Sequence, residues 1–98
     1  MLFRNNQKSF SIKLFDVDFD FCRVSENHTR IEFINSRIPG ICNGELALSM
    51  VCFYADHERI TLSLLPASET KKGRWRLREW YRKHGFVDYE EGMIREPK

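Results

Sequence analysis

Apolar positions along the chain follow two spacings. Phe10, Ile12 and Leu14 alternate with polar residues, after which Phe15, Val17, Phe19 and Phe21 continue the alternation one step out of phase. A one-residue shift turns the faces of a strand over, so the pattern predicts a strand, a bulge or turn near Phe15–Asp18, and a second strand over Asp18–Val24. Ser25–His28 reads as a hairpin turn into a third strand, Thr29–Ser36, where Ile31 and Phe33 alternate with Glu32. Glu45–His57 is a helix-length apolar run without Gly or Pro, and Arg59–Leu65 returns to alternation at Ile60, Leu62 and Leu64. Strand, Gly-bearing loop, helix and strand form a right-handed crossover whose two strands lie parallel in one sheet. Lys71–His84 is a second helix stopped by Gly85, and Phe86–Tyr89 and Met93–Arg95 are short strands around Glu90-Glu91-Gly92. The prediction is an α+β domain of three-layer α/β type. Its sheet is mixed and mostly antiparallel, with a parallel central pair and two main helices. Met1–Ser9 reads as a polar, loosely held end.

The first helix is apolar nearly all round, which predicts burial on most sides, with Met50 and Tyr54 in the core. Asp56-His57-Glu58 is expected to end it at the surface. In the second helix Leu77, Trp80, Tyr81 and His84 fall at i, i+3, i+4 and i+7 and form the inward stripe. On periodicity alone Tyr81 is a core aromatic. Lys71, Lys72, Arg74, Arg76, Arg78, Arg82 and Lys83 are seven of the sixteen Lys and Arg. Basic residues interleaved with aromatics suit RNA or an acidic partner, and equally a solvated helix whose cations near the C-terminus meet the helix dipole.

Ninety-eight residues make one domain, residues 1–98, with modest burial. A net charge of +2 does not by itself imply nucleic acid. Cys22, Cys42 and Cys52 are odd in number and widely spaced, which fits neither a disulfide framework nor a zinc site and points to reduced thiols in the cytoplasm. No signal peptide or membrane-spanning stretch is evident. Asp16, Asp18 and Asp20 alternate opposite an apolar face and read as a solvated surface rather than a metal site.

The loop Arg37–Gly44, Arg-Ile-Pro-Gly-Ile-Cys-Asn-Gly, joins the third strand to the first helix. Glycines let backbone approach a ligand closely, and the unpaired N–H groups of the following helical turn favour a phosphate. It is neither a Walker loop nor a dinucleotide fingerprint. Arg37-x-x-Gly40-x-Cys42, followed by Gly44 and a helix with Leu48 and Ala55, resembles the acyl-CoA pyrophosphate loop of the GNAT N-acetyltransferases. Leu77-x-x-Trp80-Tyr81-Arg82-Lys83-His84-Gly85-Phe86, then Met93-Ile94-Arg95-x-Pro97, resembles that family's closing segment. Together the two cover Thr29–Pro97.

The resemblance implies a GNAT-like sheet whose parallel pair splays for acetyl-CoA. The cofactor would contact Ile34, Asn35 and Ser36 at the strand end and Arg37, Ile38, Pro39, Gly40, Ile41, Cys42, Asn43 and Gly44 in the loop. Tyr81 matches the family's general acid, and Glu32 is the candidate base; no metal is implied. The usual opening strand and two helices have no room, as in short members carried by bacteriophages, so host cytoplasm is the expected setting. An acceptor side left open implies an amine on a protein or other macromolecule, with a homodimer or protein partner supplying the missing walls. The contrasting expectation is a catalytically inactive GNAT-like module that modulates a protein or RNA. Gly40→Asp tests the loop. A side chain and a charge placed where an anion approaches should lower acetyl-CoA affinity about tenfold or more in a folded protein, measured by calorimetry.

Overall fold

Two residues in left-handed backbone resolve the phase shift near the N-terminus. Phe15 (φ 52) and Asp16 (φ 61) form a two-residue hairpin turn between β1 (Ser9–Leu14) and β2 (Val17–Ser25). Positive φ at both central positions gives the turn whose twist matches the flanking strands. Leu14 therefore pairs with Val17, Ile12 with Phe19 and Phe10 with Phe21, which puts both alternating sets on one face. The structure, a computed structural model, describes residues 2–36, 43–66 and 71–98, with only the backbone of Ser36 and Asn43.

The remaining elements are β3 (His28–Ser36), α1 (Asn43–Glu58), β4 (Thr61–Leu64), α2 (Lys71–Lys83), β5 (Val87–Tyr89) and β6 (Gly92–Arg95). They build one six-stranded sheet in the order β1-β2-β3-β4-β6-β5, in which β3 and β4 run parallel and every other pair is antiparallel. This is the mixed α+β sheet expected. The layering differs from expectation. Both helices bury their residues in the same core as Val17, Phe19, Phe21, Ile31, Leu62, Leu64 and Met93, so the described residues form two layers, not three. The opposite face of the sheet, with Asp20, Arg30, Ser63 and Ile94, has no described helix over it.

Both helices end in the same way. At the end of α1, Arg59 turns left-handed (φ 60), Ile60 N–H donates to Ala55 O at 2.8 Å and Arg59 N–H to Asp56 O at 3.3 Å. At the end of α2, Gly85 does so (φ 93), Phe86 N–H donates to Tyr81 O and Gly85 N–H to Arg82 O. This 6→1 and 5→2 pairing is the Schellman motif, and its hydrophobic contact is present in α2, where the Tyr81 and Phe86 rings meet edge to face at 5.6 Å. Arg95 then ties the two ends together. Its guanidinium donates to both Asp56 carboxylate oxygens, at 2.7 and 3.0 Å, and to the His84 carbonyl at 2.7 Å. The Arg95 bonds, first of all, hold the Asp56 carboxyl below its usual range.

Three expectations are overturned. The N-terminus is not loose: Phe3 is fully buried against Phe10 and Phe21. Nor is Glu58 a surface residue, being 4% exposed. Its carboxylate accepts the backbone N–H groups of Leu2, Phe3 and Arg4 at 2.8, 3.0 and 3.0 Å, while Arg4 donates to the Glu58 carbonyl. A buried carboxylate needs such donors, and the first residues of the chain supply them. Finally, α1 is buried on one side only. Ala47, Leu48, Val51, Cys52 and Ala55 face the core, whereas Leu46, Phe53 and Tyr54 are exposed, so Tyr54 is not a core residue. An apolar composition on both sides of a helix conceals which side meets the sheet. No helix among the described residues is long and apolar enough to cross a membrane.

Glu58→Ala should leave buried N–H groups without an acceptor and uncouple Phe3 from the core. The expected loss is about 2–4 kcal/mol, read from the midpoint of urea unfolding.

Candidate functional site

The parallel pairing of β3 and β4 is short. It runs from His28 opposite Thr61 to Ile31 opposite Leu64, where it stops. On its other side β3 stays paired with β2 out to Ser36, but with a slip: Asp20 faces Phe33 while the next residue, Phe21, faces Ile31. Glu32 is the extra residue of a β-bulge, and a bulge bends its strand and increases its twist. The last residues of β3 thus leave β4 at Ile31, and a wedge opens between the strands.

The wedge holds a cleft of about 200 Å³ lined by Ile31, Glu32, Phe33, Ile34, Leu64, Leu65, Leu77 and Tyr81. Two sheet strands and one face of α2 therefore meet there. Tyr81 is placed by the end of its helix: it is the C3 residue of the Schellman motif, pinned by its own carbonyl bond and by Phe86. Tyr81 is 7% exposed, and burial pushes its phenol up from 10.0 to about 12. A phenol in that state is a proton donor throughout the physiological range. The resulting chemistry is an apolar slot, strand backbone on one wall, and one protonated hydroxyl at its side.

The residues expected to act together fall out as follows. Glu32, Ile34 and Tyr81 line one cleft. Glu32 is exposed and its carboxylate is paired with Arg30 at 2.8 Å. Asn35 lies on the β3 end opposite Asp18 of β2, and the backbone of Ser36 opposite Val17. Gly44 opens α1 beside the Trp80 ring. Arg37, Ile38, Pro39, Gly40, Ile41 and Cys42 lie outside the described residues, as do the side chains of Ser36 and Asn43. The negative charge at the start of α1 is turned aside. Glu45 accepts from Trp80 Nε1 at 2.5 Å, lies 3.1 Å from His84 Nε2, and has its carboxyl lowered chiefly by the Trp80 bond.

Two of the seven cations of α2 fasten it to the rest of the fold. Arg78 reaches Asp88 and the Glu91 carbonyl, and Arg82 reaches Glu79 and Asp88, which fastens the helix to the β5–β6 hairpin. That hairpin lies close over β4. A Cβ at Gly92 would stand 2.3 Å from the Leu64 carbonyl oxygen, so only glycine allows the approach.

Periodicity did not single out His28 and Ser63. They face each other on the helix-free side of the sheet, His28 Nε2 2.7 Å from Ser63 Oγ, in a second hollow of about 540 Å³. A lone His at a hairpin and a lone Ser in a strand give no local signal; only the parallel register brings them together.

No protein-family model and no curated protein matches the sequence. Among solved structures, the chain is similar to the crystal structure of the anti-CRISPR protein AcrVA5, with a TM-score of 0.67 and 16% identity, over 90% of this chain and 98% of that one. The likeness is one of fold. It extends over nearly the whole of both chains.

Burial of the Tyr81 phenol is open to direct measurement. In a spectrophotometric titration at 295 nm, the difference between the protein and its Tyr81→Phe variant should show phenolate appearing near pH 12 rather than 10. An ordinary titration midpoint would place the hydroxyl in water.

Proposed function

We propose that the chain is an acetyl-CoA-dependent N-acetyltransferase of GNAT type, acting on an amine carried by a protein or other macromolecule. The observation that carries the reading is the wedge: the parallel pair of β3 and β4 comes apart at a bulge, beside a buried, protonated tyrosine. The thioester of acetyl-CoA is carried on pantetheine, a narrow, extended arm whose amides can pair with strand backbone. Such an arm fits between Ile31–Ile34 and Leu64–Leu65, where β3 presents backbone with no strand partner on that side. In this reading a backbone N–H of β3 at the bulge receives the negative charge that builds on the thioester oxygen during attack. The residues of the Arg37–Gly44 loop and the first turn of α1 supply donors for the pyrophosphate, as the resemblance implies.

Tyr81 is the general acid in this reading. The thiolate that leaves the thioester needs a proton; burial makes the phenol a weaker acid than a free tyrosine, so it stays protonated until charge builds on the sulfur beside it. Its Schellman position fixes the ring, so the hydroxyl is positioned before the cofactor arrives. The helix-free outer face leaves the acceptor side open, which suits a large substrate better than a small one enclosed by walls.

A second reading is a catalytically inactive GNAT-like module that modulates a protein or RNA partner. Its support is the similar structure, that of an anti-CRISPR protein. Exposed Phe33 and Leu65 at the wedge, and Val24 and Tyr89 at the outer hollow, offer apolar contact to a macromolecule or a second copy.

Tyr81→Phe separates the two. It keeps the ring and its packing on Phe86, so the melting temperature and acetyl-CoA affinity should hold. The acetyl-transfer rate should fall about a hundredfold, the scale of a removed acid. An unchanged rate removes Tyr81 from the chemistry; partner binding without any transfer by the unaltered protein favours the module.

A further inference from the structure

The cleft beside Tyr81 and the larger hollow on the outer face share Leu64 and Leu65 as a common wall. One opens toward α2, the other away from it. Reaction at a thioester needs two routes of approach, one for the acyl carrier and one for the nucleophile, meeting at a single carbon. The two hollows adjoin at Leu64 and Leu65, beside the point where β3 and β4 part.

The outer hollow has its own chemistry. Its floor is the outward face of the parallel pair, with His28, Arg30 and Ser63, and its rim includes Glu90 and Glu91 from the β5–β6 turn. Gly92 brings that turn down onto Leu64 and so sets the rim close to the wedge. Arg30 is already paired with Glu32, while Glu90 and Glu91 stand exposed with the charge an ammonium group requires. Resting on the acetyltransferase reading above, we propose that this hollow admits an alkylammonium group, and that Ser63 and His28 together take its proton.

The step runs through the 2.7 Å contact. With the proton on Nδ1, His28 Nε2 accepts from the Ser63 hydroxyl, leaving Ser63 Oγ to accept from the substrate nitrogen. The ammonium group passes a proton to Ser63 as Ser63 passes its own to His28, giving a neutral amine and an imidazolium. The amine attacks the thioester carbonyl, the C–N bond forms, the C–S bond breaks, and the thiolate takes the Tyr81 proton. The second proton of the new amide nitrogen restores Tyr81, and His28 returns its proton to water. Glu32 suits this role less well, since its carboxylate is held by Arg30.

His28 is disposed to be neutral. Desolvation first, then the Arg30 charge, lower its imidazole below 6.5. Other titratable groups around it are Cys22 and Arg23 of β2 and, across the hollow, Glu90 and Glu91 of the β5–β6 turn; β4 contributes the uncharged Thr61 and Ser63.

The test is the pH profile of kcat/KM with acetyl-CoA and a short lysine-rich peptide, for the unaltered protein, His28→Gln and Ser63→Ala. The unaltered protein should show a limb rising with pH through a value below 6.5. In His28→Gln that limb should vanish, leaving a rise toward the amine's own pKa of about 10.4, with a loss of about a hundredfold near neutrality. Ser63→Ala removes only a hydroxyl and should lose rate in the same direction, which keeps the test sound if His28→Gln folds poorly. A retained low-pH limb in both variants overturns the assignment while leaving the acetyltransferase reading intact. Absence of any transfer by the unaltered protein overturns that reading and the proton step with it. Peptide-induced shifts of the His28 imidazole signals in NMR then decide the remaining claim: their presence supports an ammonium site in the hollow, their absence overturns it.

Discussion

Everything distinctive about this protein follows from how few residues of β3 and β4 pair. Parallel strands bond through evenly spaced, slanted hydrogen bonds, and an uninterrupted pair would close the sheet along its whole length. Here the bulge at Glu32 turns β3 away after four paired positions. The sheet survives because β2 follows β3 through the slip and because β6 holds β4 from the other side. The gap is thus stabilised by its flanks. It is a feature of strand register, and no single side chain could create it.

The second constraint is the clamp that keeps α2 over the gap. The helix is short and strongly charged, and contributes one fully enclosed residue, Tyr81. Its hold on the rest of the molecule comes from its end, where the Schellman turn, the Arg95 guanidinium and the Arg78 and Arg82 pairs with the final hairpin converge. The bidentate Arg95–Asp56 pair is directional as well as strong; it sets Arg95 against the end of α1, from where its Nε reaches the His84 carbonyl at the end of α2. The Tyr-x-x-x-Gly-Phe spacing then has a physical reason. Tyrosine stands at the position whose carbonyl closes the motif, glycine at the left-handed residue, and phenylalanine where the capping contact is made.

Sequence patterning recovered the elements and their order, because β2, β3, β4 and β6 each bury alternate residues and α2 ends at a glycine. Strand alternation marked the core at Val17, Phe19, Phe21, Ile31, Leu62 and Leu64. It failed where burial has a cause remote in sequence. Glu58 reads as a polar helix end, and nothing nearby reveals that Leu2, Phe3 and Arg4 will arrive to satisfy it. The apolar back of α1 reads as core because hydrophobicity does not say how many layers a domain has. Tyr81 and the wedge were legible as parts, the Ser63–His28 contact was not, since it depends on register across a parallel pair.

The latch between the first residues and Glu58 also has a kinetic side. It joins positions separated by more than half the chain, and the contact cannot form until α1 has emerged from the ribosome and reached its final turn. Until then Phe3 and the inner face of β1 have no cover, and the nascent meander presents a greasy, unpaired surface. Long-range closures of this kind slow folding and extend the time during which association with a second chain competes. The order of synthesis therefore sets when this small domain is most vulnerable: after its strands exist, and before its beginning has met the end of its first helix.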